Sequence, residues 1–547
     1  MSDDALPAAE AIEPDEEPDR PSRLRGLYPI LLGAYPVLFL WSQNLGETSV
    51  GEAVPPLAAA AAAAGIATVV LGLLFRDIRR GALIVGPIAI GLGLYGHFVS
   101  LMNGTLGAST EDLEGPVTAT GSAGSGNELL IGIVILVVVC LAVAMALRLG
   151  SWRLRAVDDG LLRLSAILVA ITLVPIGLNV GESALAAKKI KVDPTLPATT
   201  SALKRDVYWL IFDRYGSNRS LSLRYGYDNP MSDWLRDRGF TVLADSHANY
   251  QKTALSISTT ANMAPLDQLP GYIGPQSSSL RPVYGALQRS LTARQFRALG
   301  YRYIHLGSWW TPTTKDAGAD VNYTYADASD FDETLIDSSA IPALADLAGL
   351  ESAVPTRLQR HYDNGRYELD VLDGLRDEAG PKFVFAHILL PHPPYVFNLD
   401  GSFSAKENGE QSIVNQIIYT NGRLQAILEH LLALPKARQP IIILQADEGP
   451  YPRPYIANLC CFDWSTATSD ELEMKYGVMN AWYLPDGTDL GLYPTMSSIN
   501  TFPTLFDRYF GLDYPRWPDH SFTSKDDKHP FELTDITTRL PSLAGAP

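Results

Sequence analysis

The sequence predicts a two-part chain: an N-terminal bundle of about five transmembrane helices, then a doubly wound α/β domain outside the membrane. Three observations carry this expectation. Most of the first 185 of 547 residues are apolar, while the rest has the mixed make-up of a soluble domain. From about Asp206, β-branched runs alternate with amphipathic stretches, the pattern of a largely parallel sheet covered by helices. The stretch Pro440–Gly449, PIIILQADEG, holds four consecutive large apolar residues, too few for a helix and suited to a strand buried on both faces.

Taken in order, Met1–Pro21 is acidic and rich in Ala and Pro, and residues 1–25 are expected to form a disordered cytoplasmic tail. It lacks the basic-then-apolar layout of a cleaved signal peptide. Five apolar stretches follow within 26–185: Leu27–Trp41, Val54–Phe75, Ala82–Met102, Leu129–Leu147 and Leu161–Val180. Most reach the ~20 residues that span a bilayer; the first is short and carries Pro29 and Pro36. Arg20, Arg23 and Arg25 precede the first span. Arg76, Arg79 and Arg80 follow the second, and Arg148, Arg153 and Arg155 follow the fourth. The alternate loops, Glu47–Glu52 and Asn103–Asn127, hold no Lys or Arg, and Thr118–Gly126 within the latter reads as a flexible linker. The positive-inside rule then puts the N-terminus in the cytoplasm and everything after Val180 outside, at the plasma membrane, although Lys188, Lys189 and Lys191 fall on the outer side. The spans carry almost no ionisable residues beyond His97 and Arg163, which disfavours a transporter.

After a linker over 186–205, the α/β domain is expected over 206–524, with a C-terminal tail over 525–547. Strands are expected at Asp206–Phe212, Phe240–Leu243, Tyr301–Leu306, Phe383–Ile388, Ile441–Leu444 and Val478–Leu484. Helices are expected at Met231–Arg238, Val283–Leu299, Ile413–Leu434 and Ile499–Phe510. The net charge of −17 argues against a nucleic-acid binder.

Ligands of open α/β sheets collect at the carboxyl ends of the strands, and there this chain gathers acids. Asp213 ends the first strand; Asp447 and Glu448 end the PIIIL strand. Adjacent buried carboxylates call for a cation, for which a divalent metal is the usual answer, the alternative being a solvated acidic turn. Asn249–Met263, NYQKTALSISTTANM, enters a helix near Thr253; a hydroxyl there is placed to attack phosphorus, and a small-residue packing face is the other reading. In HILLPHPPYVF the prolines fix His392 at a strand end, while His387, inside the strand, reads as structural.

In their order and spacing, LIFDRYG at Asp213, NYQKTALS at Thr253, PHPPY at His392 and ADEG at Asp447-Glu448 resemble the alkaline phosphatase superfamily. The resemblance is to the sulfatase-like branch with lipoteichoic acid synthase and the phosphoethanolamine transferases, and NAWYLP and SINTFPTLFDRYFG fit it too. It implies an alkaline-phosphatase-like fold, with Asp213 and Asp447 as metal ligands and Thr253 as a metal-bound nucleophile. It also implies His392 as a phosphate contact or leaving-group acid. Glu448 stands where the family has His; as a further ligand it makes the site oxygen-rich and favours one Mn²⁺ or Mg²⁺ over Zn²⁺. Arg214 replaces a second acid common in two-metal members, which favours a single metal. The formylglycine-forming Cys motif of sulfatases is absent; the cysteines are Cys140, in a span, and the adjacent Cys460 and Cys461, whose pairing is open.

The expected function is a membrane-anchored metalloenzyme acting on phosphate rather than sulfate esters at the cell envelope. It would pass a phospho-group through phospho-threonine to an acceptor hydroxyl or to water. Its expected partners are the bilayer and a membrane lipid or an envelope glycan or polymer. A non-catalytic envelope binding protein that keeps the fold is the alternative, and Glu448 is its main support.

Overall fold

The computed structural model describes residues 26–103, 126–188, 196, 205–270, 272, 274–325, 329–350, 353–405, 409–457, 462–526 and 529–541. The N-terminal tail, residues 118–125 of the expected flexible loop, most of the 186–205 linker and the Cys460–Cys461 pair lie outside the described residues.

Among the described residues, six helices build the N-terminal part: α1 (Tyr28–Gln43), α2 (Val50–Leu74), α3 (Ile78–Gly93), α4 (Tyr95–Asn103), α5 (Gly126–Arg148) and α6 (Ser151–Lys188). Three of them, α2, α5 and α6, are long and apolar enough to cross a membrane; α3 and α4 together qualify as one span bent by 56°. Among the described residues, length and composition therefore support three or four spans, where the sequence suggested five. The shortfall is α1, whose 16 residues rise only about 24 Å against a ~30 Å hydrocarbon core.

Close backbone approach holds α1, α2 and α3 together. A Cβ at Gly81 would lie 2.5 Å from the Gly72 nitrogen, and one at Gly33 would lie 2.8 Å from the Ala64 Cβ. Small residues at such crossings are the usual packing device of helices in lipid.

The two ends of the bundle differ. At one, Gly26 N donates to Asp158 Oδ2 (3.2 Å), Arg79 Nε lies 3.7 Å from the same oxygen, and Arg80 Nη1 donates to the Ala146 carbonyl (2.8 Å). At the other, the α3–α4 break is bonded into the α/β domain: Gly96 N donates to Ser338 O and Ala340 N to Leu92 O, both at 2.8 Å. Phe331 of the α/β domain is buried there among Val37, Trp41 and Ala53.

Among the described residues, the main sheet of the α/β domain has seven strands: β1 (Val207–Phe212), β2 (Thr241–Val242), β3 (Arg302–Leu306), β4 (Val321–Tyr323), β5 (Lys382–Ile388), β6 (Ile441–Gln445) and β7 (Asn480–Tyr483). Their order is β2-β7-β6-β1-β5-β3-β4. The sheet is mixed, since β7 runs antiparallel to both β6 and β2 while the others pair in parallel. All six residues of β1 are buried. Tyr208, Leu210 and Phe212 face one apolar core; Val207, Trp209 and Ile211 face the other. That two-sided burial is why the strand reads as an unbroken apolar run.

The expected helix Val283–Leu299 is two, Arg281–Leu287 and Leu291–Ala298, because the Ser290 side chain accepts from Ala293 N and caps the second. Ser524, the expected edge of the domain, lies in a strand, Phe522–Ser524, paired with Leu533–Asp535. Ile536 beyond it is fully buried in the main core.

Candidate active site

The carboxyl ends of β1, β5 and β6 bring three titratable side chains into one buried group. Ligand atoms of Asp213, His387 and Asp447 all lie within 4.8 Å of one another. Asp213 follows β1 and Asp447 follows β6; His387 stands in β5 opposite Ile211. Its Nε2 is 3.1 Å from Asp213 Oδ2, and its Nδ1 is 3.0 Å from Thr313 Oγ1. The Thr313 carbonyl in turn accepts from His305 Nε2 at 2.7 Å.

Arg214 has a left-handed backbone, φ +57°, unusual for a side chain of that size. That turn aims its N–H at Asp447 Oδ1, 3.1 Å away.

Thr253 is the first residue of the helix Thr253–Asn262, whose N-terminus no side chain caps. Its Oγ1 lies 3.5 Å from Asp213 Oδ2. The neighbouring hydroxyls are committed elsewhere: Ser256 donates to the Asp447 carbonyl (2.7 Å), Ser258 to Val283 O (3.1 Å), and Thr259 and Thr260 to carbonyls of their own helix. His392 is buried, with Nδ1 donating to the Pro393 carbonyl and its ring edge-on to Trp309.

Glu448 is placed apart from this trio's shared position. Its Oε1 lies 2.7 Å from Lys475 Nζ and 3.3 Å from Arg214 Nε. Lys475 and Arg214 both lie over the ring of Tyr451.

Electrostatics follow from burial and these neighbours. Burial would raise Asp213, but His392, His387 and Arg214 outweigh it and hold the carboxyl below the usual carboxylate range. Burial, then the charge of Asp213, pushes Asp447 up. Burial likewise raises Glu448 and lowers Lys475, each drawn part of the way back by the other.

A cleft of about 110 Å³ opens onto the site, lined among others by Asp213, Thr253, Trp309, His392 and Glu448. Glu47, from the α1–α2 turn of the bundle, lines it as well. The carboxyl ends of the strands thus face the bundle.

The residues present fit a divalent cation. Asp213 Oδ1, Asp447 Oδ2 and Glu448 Oε2 are buried with no hydrogen-bond partner among the described residues. Such anionic oxygens, beside an imidazole nitrogen, are the donors a divalent cation takes.

His387 and Lys475 are the members of this arrangement that sequence reasoning missed. A titratable ring inside a fully buried strand must have a partner, and that was the available signal for His387. Nothing local marks Lys475, which sits in an ordinary capped helix, Ser469–Tyr476.

Fold and site together define an α/β protein that carries N-terminal helices long and apolar enough to cross a membrane and a buried Asp–His–Asp group beside a helix-start threonine. No family model and no curated protein matches the sequence. Among solved structures, the chain is similar to the C-terminal periplasmic domain of EcEptC from Escherichia coli, with 14% identity over 63% of this chain and 98% of that one (TM-score 0.42). It is similar to the integral membrane protein lipooligosaccharide phosphoethanolamine transferase A (EptA) from Neisseria meningitidis, with 11% identity over 88% and 93% of the two chains (TM-score 0.36). It is also similar to the phosphonate monoester hydrolase of Agrobacterium radiobacter, with 14% identity over 58% and 80% (TM-score 0.36).

Proposed function

We propose that the chain is a membrane-anchored, metal-dependent phosphotransferase that acts on phosphate esters at the outer face of the membrane through a phospho-threonine. The observation that carries this reading is the convergence of Thr253 with Asp213, His387 and Asp447 at one sheet edge. Asp213, His387 and Asp447 would hold one divalent cation, with Thr253 Oγ1 beside it. Such a cation supplies Lewis acidity to the threonine hydroxyl and offsets phosphate charge.

The protein's own groups do the rest. Thr253 Oγ attacks phosphorus and forms the new O–P bond as its proton leaves to solvent. The bond from phosphorus to the leaving oxygen breaks, and His392 is the acid for that oxygen. Since Nδ1 serves the Pro393 carbonyl, the delivered proton comes from Nε2. The free helix start behind Thr253 favours the developing anion. An acceptor hydroxyl or water then takes the group from Thr253.

Glu448, suggested by the sequence as a ligand, serves in this reading to hold Lys475 and Arg214 against Tyr451. With an imidazole in place of a third carboxylate, the donor set suits Zn²⁺ or Mn²⁺ better than Mg²⁺. The bundle wall supplied by Glu47 favours a substrate borne by a membrane lipid or an envelope polymer. We take α1 as a fifth crossing, because Gly26 lies at the Asp158 end and Glu47 at the domain end. That count places the α/β domain outside.

Intact-mass analysis of the full-length protein after incubation with phospholipid vesicles tests the reading. A phospho-group adduct on Thr253, absent from Thr253→Ala, is expected. An adduct on another residue, or none with metal supplied, would overturn it.

A further inference from the structure

The α/β domain carries a helix pair, Asp330–Asp337 and Ile341–Leu347, whose two members meet different surroundings. The first packs inward, with Phe331 buried against α1 and α2 and Leu335 beside it. The second turns outward. Ile341, Leu344, Leu347 and the following Leu350 are 49%, 48%, 84% and 55% exposed. At 100° per residue, Ile341, Leu344 and Leu347 fall in a sector of about 120° that excludes Asp346. Ala345, on the inner side, is buried.

Four exposed aliphatic side chains in ten residues are unusual for a surface facing water. Outside the bundle, the described residues expose only three other large hydrophobic side chains, Tyr325, Leu399 and Ile418.

The position of this patch says what covers it. The turn between the two helices is bonded into the α3–α4 break through Ser338–Gly96 and Ala340–Leu92. The patch therefore sits level with the outer end of the bundle. Next along the chain from that break, α4 exposes Phe98, Leu101 and Met102. The two bonds thus bring the start of the Ile341–Leu347 helix beside the α3–α4 break.

We propose that Ile341–Leu350 is an in-plane anchor, its aliphatic face set into the outer leaflet beside the bundle. The proposal rests on the membrane reading above. An apolar helix face of this kind lies ~5–10 Å into the headgroup–acyl boundary. Tied to the bundle by Ser338 and Ala340, it fixes the height of the cleft over the headgroups.

The test uses the full-length protein in vesicles of phosphatidylethanolamine and phosphatidylglycerol, with the photoreactive residue p-benzoylphenylalanine in place of Leu347. A control carries it at Thr488, in a turn bonded to Asp486, which pairs with Arg205 just before β1 at the sheet edge away from the cleft. After irradiation, intact mass should show a phospholipid adduct from position 347, roughly tenfold or more above that from 488, as expected of a side chain resting in the leaflet. Equal lipid adducts at the two positions would overturn the anchor. So would cross-links from 347 to the chain's own residues 103–127 or to a second copy, because the face would then be covered by protein. No catalytic activity enters this readout, so it stands apart from the fate of the Thr253 mechanism. A chain that fails to float with the vesicles would overturn the membrane reading and the anchor together.

Discussion

Lys475 Nζ lies 2.7 Å from Glu448 Oε1, and both side chains are closed to solvent. A cation and an anion buried this deeply depend on one another, because removing either leaves a bare charge in a dry site.

Glu448→Gln alone, or Lys475→Met alone, should therefore cost about 3–5 kcal/mol of stability. The double variant should recover a large part of that, since no unpaired charge remains. Thermal melts of the three variants in one detergent check this. Single variants that melt with the unaltered protein would mean that the pair is not buried as described.

Metal binding should follow the trio rather than Glu448. His387→Asp should weaken retention of Zn²⁺ relative to Mn²⁺, because an oxygen replaces the imidazole nitrogen. Asp447→Asn should lose either metal. Elemental analysis after dialysis is the measurement, and metal loss in Glu448→Gln matching that in Asp447→Asn would return Glu448 to the ligand set.

The hydroxyls of the helix Thr253–Asn262 should separate by role. Thr253→Ala should abolish turnover with little change in melting temperature, while Thr253→Ser should keep part of it, since the oxygen survives. Ser256→Ala removes the bond to the Asp447 carbonyl and should cost about 1 kcal/mol of stability while turnover persists. Turnover lost in Ser256→Ala and kept in Thr253→Ala would move the nucleophile by one helical turn.

Topology is checked by fusion. A reporter active only outside the cytoplasm should work when fused after Lys191 and fail after Arg155. The reverse result would place the cleft in the cytoplasm and remove the case for an envelope substrate.

Much of this arrangement was legible because strands and helices announce their ends. Asp213 and Asp447 close apolar runs, so each could be assigned to a sheet edge from local pattern; Thr253 opens a helix after the extended Lys252, but its place beside them came only from the family resemblance. His387 could not, because its value depends on β5 lying next to β1 with His387 opposite Ile211. Strand order is a property of the whole fold. The reversed direction of β7 was hidden for the same reason. Lys475 meets Glu448 across 27 residues of chain, and no periodicity encodes that meeting. The break at Ser290 failed differently: the apolar spacing continues across it, and a single serine cap outweighs the pattern.

The sheet's carboxyl edge is turned toward the bundle, with Glu47 of the α1–α2 turn in the wall of the cleft. For an enzyme so mounted, substrate supply becomes a two-dimensional problem. Its rate should follow the mole fraction of the reactive headgroup in the leaflet and stay flat as more vesicles of the same composition are added. Diluting that headgroup with an inert lipid should slow the enzyme even when the amount in the tube is unchanged. The domain severed from its bundle would meet the same headgroups only by collision from solution, and would lose that dependence.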